Sequence, residues 1–403
     1  MKYYHNNRCR KSREGLAFLE SKNIQPKIIN YLENRISKEE LINLLEKLLE
    51  IYKKRFDEMT EAITTEMGSP IDYSSSTHTV SGQSHIEDFI LRLKEFNFEE
   101  HFDSKSNNYI SYEPIGVCGL ITPWNWPINQ IVSKMAPAFA AGCTVILKPS
   151  EIAPLSAMII AEIVHESGLP AGMFNLINGS GIVVGEAMSA HKDIDMMSFT
   201  GSTRGGIAVA SASAKTVKRV SQELGGKSPN IILDDDNFEN SVSKGVTHVM
   251  SNSGQSCNAP TRMLVPKNRH NEALEIAKNV AESIVVGEPA CLTSEIGPLV
   301  SQVQYDKVQH LIDKGIAEGA KLVTGGQGRP ADLVKGFYTK PTVFGHVTND
   351  MIIAREEIFG PVLAVLSYDN IEDAISIAND TDYGLAAYVT GQDTEQALKL
   401  ARG

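Results

Sequence analysis

Short apolar runs that alternate with helical segments constrain the fold of this 403-residue chain more than any other feature. Between Ile115 and Leu224, apolar runs predict strands at Val145–Lys148, Met173–Ile177 and Met196–Thr200, each followed by a segment of helical character. Strands that alternate with helices form βαβ units, in which a parallel sheet carries helices on both faces. We therefore expect an α/β fold with a Rossmann-like sheet in this part of the chain.

A second series of the same kind follows. The predicted elements of this series are, in order, a strand at Asn230–Leu233, helices around 238–252 and 270–283, a strand at Val362–Leu366 and a helix at Ile371–Asn379. A chain of this length can build two hydrophobic cores. We expect two α/β domains, joined near Gly225-Gly226.

Two further segments have sequence patterns that predict secondary structure. The run Ser37–Glu40 is typical of a capping box, and apolar residues at helical spacing follow it as far as Ile63. Gly68 and Pro70 indicate the end of this helical segment. Residues 97–114 are largely polar and include a short β-prone run, which predicts an exposed hairpin.

Charge and cysteine usage limit the class of protein. The formal net charge of −11 argues against a general nucleic-acid or anionic-membrane binder. No apolar run approaches the ~20 residues that cross a bilayer, and the basic first residues precede no apolar signal segment. Five scattered cysteines favour a reducing compartment over a disulfide framework, and none has zinc-ligand spacing. We expect a cytoplasmic enzyme without a metal site.

Three residues have the chemistry that covalent catalysis at a carbonyl requires. Cys257, in a glycine-containing turn, offers a nucleophile; Glu223, before Leu-Gly-Gly-Lys, offers a proton acceptor; Asn125, between two tryptophans, offers an amide donor for an oxyanion. Each has an ordinary alternative: a buried inert thiol, a solvated carboxylate and a turn residue. Their conjunction favours the catalytic interpretation.

Other segments indicate nucleotide binding. Glycine turns at Gly179–Gly185 and Gly201–Gly206 follow predicted strands, where backbone N–H groups can approach a pyrophosphate. Lys148 and Glu151, at the end of another strand, could bind ribose hydroxyls or could form an ordinary surface ion pair. Each of these signals alone is weak.

Taken together, these motifs make the sequence resemble the aldehyde dehydrogenase superfamily from about Ile36 to Arg402. The resemblance implies oxidation of an aldehyde to a carboxylic acid, through a thiohemiacetal and a thioester on Cys257, with hydride transfer to NAD. It implies an activity of the general NAD-dependent aldehyde dehydrogenase type. The implied domains are an atypical segment at 1–30, a cofactor-binding domain at 31–96 and 115–224, an oligomerisation hairpin at 97–114 and a catalytic domain at 225–403.

The resemblance also assigns residues to the cofactor. Lys148 and Glu151 match residues that bind the adenosine ribose, whereas Glu357 and Phe359 match residues at the nicotinamide end. Gly181, Gly201 and Ser202 match further cofactor contacts. A carboxylate at the ribose repels a 2′-phosphate, which favours NAD although NADP stays possible. Lys134 matches a lysine near the proton path, with a solvated helix lysine as the equal alternative.

The sequence departs from the family pattern at both ends. It stops at Gly403, where family members continue for several tens of residues, and its first 30 residues are unfamiliar. Alternatives therefore stay open: a dehydrogenase that transfers the acyl group to coenzyme A, or a truncated, inactive nucleotide-binding relative. The presence of Glu223 favours hydrolysis to the free acid. A homodimer or homotetramer is expected if the ends permit it.

Overall fold

The computed structural model describes residues 2–5, 10–30, 36–103 and 107–402. They form two compact units. The first comprises the described residues within Met1–Ala62, Ser75–Thr200 and Arg204–Glu223, and the second comprises those within Ile63–Ser74, Gly201–Thr203 and Leu224–Gly403.

The first unit contains a five-stranded parallel sheet of order β7-β6-β5-β8-β9. The strands of this unit are β1 (Lys2–His5), β2 (Lys27–Asn30), β3 (Glu99–His101), β4 (Tyr109–Ser111), β5 (Val117–Ile121), β6 (Thr144–Lys148), β7 (Phe174–Leu176), β8 (Met196–Thr200) and β9 (Arg219–Glu223). The strands predicted at 145–148, 173–177 and 196–200 are therefore confirmed, within one residue at each end. β1 and β2 form a separate parallel pair within the first 30 residues.

Helices connect these strands. They are α1 (Arg10–Ser21), α2 (Lys38–Lys54), α3 (Phe56–Met67), α5 (Val80–Glu95), α6 (Pro127–Ala140), α7 (Leu155–Glu166), α8 (Glu186–Ala190) and α9 (Thr203–Ala214). The end of α3 belongs to the second unit, as does the short helix α4 (Ile71–Tyr73). The predicted cap is confirmed, because Ser37 Oγ accepts a hydrogen bond from Glu40 N at 3.1 Å.

The helical segment after Ser37 is not continuous. It breaks at Arg55, where φ is −105° and ψ is 21°. The Arg55 guanidinium forms ion pairs with Glu58 at 2.6 Å and, on α7, with Glu162 at 2.6 Å and Glu166 at 3.0 Å. These bonds hold the break against the neighbouring helix, a tertiary effect that helical spacing alone does not reveal.

The predicted exposed hairpin is present. Glu99–His101 of β3 pairs antiparallel with Tyr109–Ser111 of β4, and residues 104–106 lie outside the described part. Aromatic side chains pack along it: the Phe96 and Tyr112 rings meet edge-on with their centroids 5.3 Å apart.

The second unit contains a six-stranded sheet of order β12-β13-β14-β11-β10-β15, which is parallel except for β12. Its strands are β10 (Pro229–Ile232), β11 (Arg262–Pro266), β12 (Lys321–Thr324), β13 (Thr342–Gly345), β14 (Val362–Tyr368) and β15 (Tyr388–Thr390). Its further helices are α10 (Phe238–Met250), α11 (His270–Ser283), α12 (Gln302–Ala317), α13 (Ile352–Arg355), α14 (Ile371–Asn379) and α15 (Thr394–Leu400).

Alternate residues of the central strands enter two different cores. On β14, Val362, Ala364 and Leu366 pack into one core, whereas Leu363 and Val365 pack into the other. Since successive strand residues point to opposite faces, this sheet is covered on both sides. The expected α/β fold with Rossmann-like parallel sheets is confirmed. Among the described residues, we find no helix with the length and apolar character needed to cross a bilayer.

Candidate active site

Cys257 lies in a turn between α10 and β11 and is half-buried. Three consecutive residues before it, Asn252, Ser253 and Gly254, adopt left-handed backbone angles with φ of 54°, 55° and 71°. This conformation is strained for residues other than glycine and persists only where the surroundings fix it. At Gly254 no side chain fits, since a Cβ would lie 2.0 Å from the Gly360 carbonyl oxygen.

Buried side chains fix this turn. Ser253 Oγ donates to the Gly297 carbonyl at 2.9 Å, and Gln255 Oε1 accepts from Val300 N at 3.0 Å. Gln255 also donates through Nε2 to the Asn252 carbonyl at 3.3 Å. The loop that carries the thiol is therefore held in one conformation, which suits a group that must be positioned before reaction.

The Gly225-Gly226 turn packs against Cys257 and Glu357 within the second unit. A Cβ on Gly226 would lie 2.4 Å from the Cys257 carbonyl oxygen, and one on Gly225 would lie 2.5 Å from Glu357 Oε2. Gly226 N donates to Glu357 Oε1 at 3.0 Å. The two glycines thus bring the predicted nucleophile and a predicted cofactor-binding carboxylate to the same short turn.

Glu357 is partly buried and lies near the cationic side chains of Lys307 and Lys227. Burial raises its pKa above the usual range, while the Gly226 N–H and the charges of Lys307 and Lys227 act in the opposite direction. Burial likewise lowers the pKa of Lys307, with Glu357 opposing this effect. Lys307, on α12, is a candidate that the sequence analysis missed.

Phe359, the other residue predicted at the nicotinamide end, also has a left-handed backbone, with φ of 61°. Gln304 Nε2 donates to the Phe359 carbonyl at 2.8 Å and to the Ile358 carbonyl at 3.2 Å. An α12 side chain therefore holds this strained segment in place.

Tyr388, at the start of β15, is a second residue that the sequence analysis missed. Its hydroxyl donates to the Asn258 carbonyl at 3.1 Å and accepts from Asn258 Nδ2 at 3.2 Å. Burial raises its pKa, and the negative charge of the Cys257 thiolate contributes in the same direction. Tyr388 thus lies near the candidate nucleophile, bonded to the residue that follows it.

In the first unit, Asn125 lies in the turn between β5 and α6 and is only 5% exposed. Pro127 begins α6, as expected for a residue that supplies no N–H to the first helical turn. The Trp126 ring packs on His78 with their centroids 4.4 Å apart. A buried amide at the carboxyl end of a parallel strand is in a position typical of functional groups in α/β proteins.

Glu223 ends β9 and is exposed. Lys134, on α6 of the same unit, is partly buried, contrary to the solvated alternative. Burial lowers the pKa of Lys134, and the charge of Glu223 opposes this effect. The Lys134 ammonium therefore lies within electrostatic range of the Glu223 carboxylate.

Lys148, Glu151 and Gly181 come together in the first unit. Lys148, 2% exposed at the end of β6, donates to Glu151 Oε2 at 2.8 Å and to the Pro149 carbonyl at 2.9 Å. Gly181 N donates to Glu151 Oε1 at 3.2 Å. Burial raises the pKa of Glu151, but the bonds from Lys148 and Gly181 outweigh it and leave this pKa below the usual range.

This arrangement fits a nucleotide. It offers a half-exposed carboxylate for ribose hydroxyls, held in place by the buried Lys148 ammonium, and apolar side chains stand exposed nearby in sequence. Ile152 is 42% exposed and Ile182 is 82% exposed, which suits contact with a base. The remaining predicted residues, Gly201 and Ser202, directly follow β8 and precede α9, where N–H groups at the helix start favour a phosphate.

Comparisons with known proteins agree on one family. Residues 34–403 match the aldehyde dehydrogenase family. The chain is 50% identical over 370 residues to the 3-succinoylsemialdehyde-pyridine dehydrogenase of a Pseudomonas species, covering 92% of this chain and 77% of that protein.

Two solved structures are similar. An aldehyde dehydrogenase from Bartonella henselae has a TM-score of 0.89 and 50% identity, covering 91% of this chain and 77% of its own. Aldehyde dehydrogenase C from Pseudomonas syringae, solved as a cysteine-to-alanine mutant with NAD+ and octanal, has a TM-score of 0.89 and 51% identity, with coverages of 91% and 75%.

Proposed function

Because the chain belongs to the aldehyde dehydrogenase family, we propose that it oxidises an aldehyde to a carboxylic acid with Cys257 as the nucleophile. The observation that carries this proposal is the packing of the fixed Cys257 turn on Gly226, which also binds Glu357. A nucleophile held rigidly beside a group assigned to the cofactor suits a reaction in which both act on the same carbon.

The first step is addition of the Cys257 thiolate to the aldehyde carbon. This forms a thiohemiacetal whose oxygen carries negative charge. The Asn125 amide and the Cys257 backbone N–H are the donors that we assign to this oxyanion. Loss of one such donor typically lowers turnover by ~10²–10³.

The second step oxidises the adduct. The residues that we assign to the cofactor would hold NAD, which would supply the acceptor for the hydride that leaves the former aldehyde carbon. The acyl group then remains on Cys257 Sγ as a thioester. In the third step Glu223 takes a proton from water, which attacks the thioester and releases the acid and the thiolate. Lys134, whose ammonium lies within electrostatic range of Glu223, is a candidate for passing this proton on.

For cofactor binding we assign Lys148 and Glu151 to the adenosine ribose, Gly181, Gly201 and Ser202 to further contacts including the pyrophosphate, and Glu357 and Phe359 to the nicotinamide end. The NAD+ in the Pseudomonas syringae relative supports NAD. The Glu151 carboxylate, whose pKa lies below the usual range, supports selection against a 2′-phosphate.

The substrate that we propose is a small organic aldehyde, as in a general aldehyde dehydrogenase. The octanal bound to one relative supports an aliphatic chain. We also propose a cytoplasmic location, a cofactor-binding domain at 31–96 and 115–224, a catalytic domain at 225–403 and a homo-oligomer built through the 97–114 hairpin.

A pair of cysteine variants tests the mechanism. Cys257→Ala removes the nucleophile, and Cys291→Ala removes an exposed thiol of the same unit. We expect NADH formation from octanal to fall at least ~10³-fold in the first variant, since nucleophile and oxyanion donors act as one unit, and to stay unchanged in the second. NADH formation at the wild-type rate by Cys257→Ala would overturn the proposal. Coenzyme A should not raise turnover, whereas a coenzyme A thioester product would indicate the acyl-transfer alternative.

A further inference from the structure

The two sides of the Cys257 turn differ in how deeply they are buried. Ser253 and Gln255, which fix the part before the thiol, are 3% and 1% exposed. Asn258, directly after Cys257, is exposed. Asparagine side chains readily bind nearby backbone groups and so offer the chain alternative conformations. An exposed asparagine next to the nucleophile therefore needs a partner that holds it in one position.

Tyr388 holds Asn258 at two points. Its hydroxyl donates to the Asn258 carbonyl at 3.1 Å and accepts from Asn258 Nδ2 at 3.2 Å. Because a tyrosine hydroxyl both donates and accepts, the two bonds form at the same time. Burial raises the pKa of Tyr388, so that the hydroxyl keeps the proton that it donates. Together the bonds fix the main chain and the side chain of Asn258.

The Tyr388 ring has a fixed position of its own. Tyr388 pairs with Asn230 in the parallel register of β15 and β10. The His248 ring, on α10, meets the Tyr388 ring edge-on with the centroids 5.1 Å apart. All of these residues belong to the second unit, as Cys257 does. The hydroxyl therefore reaches Asn258 from a rigid support.

The attachment of β15 to the sheet does not depend on this hydroxyl. Thr390 Oγ1 donates to Asn230 Oδ1 at 3.0 Å, and Leu233 N donates to the Thr390 carbonyl at 2.9 Å. These bonds anchor the strand at its other end. The two bonds to Asn258 therefore act on the turn after Cys257 rather than on the strand.

We propose that Tyr388 is a positioning residue for the nucleophile, because its hold on Asn258 fixes the chain directly after Cys257. At Gly226, a Cβ would lie 2.4 Å from the Cys257 carbonyl oxygen, so the backbone also packs closely there. The Cys257 main chain is thus held at its carbonyl and at the following residue, which leaves rotation about the Cα–Cβ bond as the main freedom of the thiol. This role rests on the proposed function, in which Cys257 is the nucleophile, and Tyr388 acts through Asn258.

Tyr388→Phe tests the role of the hydroxyl. It keeps the ring and its contact with His248 but removes both bonds to Asn258. Acylation of Cys257 should slow at least about tenfold, because small misplacements of a reacting group are costly. Single-turnover formation of NADH from octanal measures the steps up to acylation, and Kd for NAD, from fluorescence titration, should stay unchanged. A wild-type single-turnover rate in Tyr388→Phe would overturn the proposal.

Tyr368→Phe is the matched control. Tyr368, on β14 of the same sheet, donates to the Ile232 carbonyl at 2.8 Å, so this variant also loses a tyrosine hydroxyl bond in the second unit. It should lower the melting temperature without slowing acylation. An equal slowing in Tyr368→Phe would mean that lost stability rather than lost positioning is responsible, which contradicts the proposal.

A double-variant cycle with Asn258→Ala isolates the effect that passes through Asn258. This substitution removes the side-chain amide but keeps the backbone carbonyl. Because the two residues are in contact, Tyr388→Phe and Asn258→Ala together should slow acylation by less than the product of their separate effects. Effects that simply multiply would contradict the proposal. A wild-type rate in Tyr388→Phe rejects the positioning role alone, whereas turnover by Cys257→Ala rejects the proposed function.

Discussion

Gly226 and Gly254 allow the backbone around Cys257 to pack closely. A Cβ on Gly226 would lie 2.4 Å from the Cys257 carbonyl oxygen, and a Cβ on Gly254 would lie 2.0 Å from the Gly360 carbonyl oxygen. Neither oxygen can move without shifting its own peptide. The glycines therefore have a steric function: they place the thiol-bearing turn against the Glu357 carboxylate.

Gly226→Ala tests this packing. The added methyl group must displace the Cys257 peptide, and overpacking of this kind costs about 1–3 kcal/mol. We expect kcat/KM for octanal to fall at least about tenfold, because small misplacements of reacting groups are costly. Gly319→Ala is the control, since its Cβ meets nothing within 4 Å and only its φ of 93° is strained. Steady-state kinetics measures the loss of activity in each variant, and thermal melting measures the loss of stability. Equal kcat/KM values in Gly226→Ala and Gly319→Ala would contradict the steric function.

Glu223→Gln tests the assignment of the proton acceptor. Without the carboxylate, water attack on the thioester should slow by about 10²–10⁴ while acylation of Cys257 continues. Mass spectrometry after mixing with octanal and NAD should then show an acyl adduct on Cys257, with one equivalent of NADH formed in a burst. Glu239→Gln, at an exposed position on α10, should turn over normally. A variant that forms no adduct and no burst would place Glu223 in an earlier step.

Part of the candidate site can be proposed residue by residue from the sequence. Cys257, Glu223 and Asn125 were proposed because each lies in a local motif of glycines, prolines or tryptophans. Lys307 and Tyr388 were not, since an isolated lysine on a helix and a tyrosine on a strand carry no local signal. Their relation to Glu357 and Cys257 arises only when segments 50 to 131 residues apart pack together.

The strand ends position the residues that we propose for nucleotide binding. β6 ends at Lys148, and the following turn returns Glu151 to this lysine, while the glycine turn after β7 adds the Gly181 N–H. The two sequence interpretations, an ion pair and a ribose site, are therefore compatible. The same carboxylate that pairs with Lys148 is half exposed and can accept ribose hydroxyls.

Glu151→Gln tests the preference for NAD. Removing the carboxylate removes its repulsion of a 2′-phosphate, an interaction of about 1–4 kcal/mol between near-surface charges at 4 Å. We expect the ratio of kcat/KM for NAD to that for NADP to fall by about tenfold or more. Glu186→Gln, exposed on α8, should leave this ratio unchanged. A wild-type ratio in Glu151→Gln would mean that other residues select the cofactor.

Elements with a clear apolar pattern were predictable, whereas polar ones were not. β8, Met196–Thr200, was predicted from its apolar run. β9, Arg219–Glu223, lies at the edge of the sheet with four of five residues exposed, so that no apolar run indicates a strand. The break at Arg55 was missed for a different reason, since it depends on carboxylates of a helix about 110 residues away.

For the whole molecule, alternation of strands and helices was enough to predict two α/β sheets. Strand order was not predictable, because the pairing of β10 with β15 and β11 with β14 joins segments more than 90 residues apart. The six-stranded sheet also includes the antiparallel edge strand β12. Such pairings are set by the packing of both sheet faces, which local patterns do not contain.

A variant of the β3–β4 hairpin tests whether subunits contact one another through it. Phe102 and Tyr109 are 66% and 57% exposed there, although both are large and apolar. Exposed apolar side chains on a short two-stranded sheet favour burial against another subunit. The double variant Phe102→Glu with Tyr109→Glu should therefore sediment as a smaller species than the wild-type chain at equal concentration.

The matched control for the hairpin variant is Leu292→Glu, which changes a still more exposed apolar residue, 79% exposed, in the second unit. It should sediment as the wild type does. Circular dichroism and NAD titration should show that both variants are folded, because each new carboxylate replaces a side chain that already faces solvent within the chain. If the hairpin variant keeps the wild-type sedimentation coefficient, or if Leu292→Glu dissociates the assembly instead, subunits contact one another through a surface other than the hairpin.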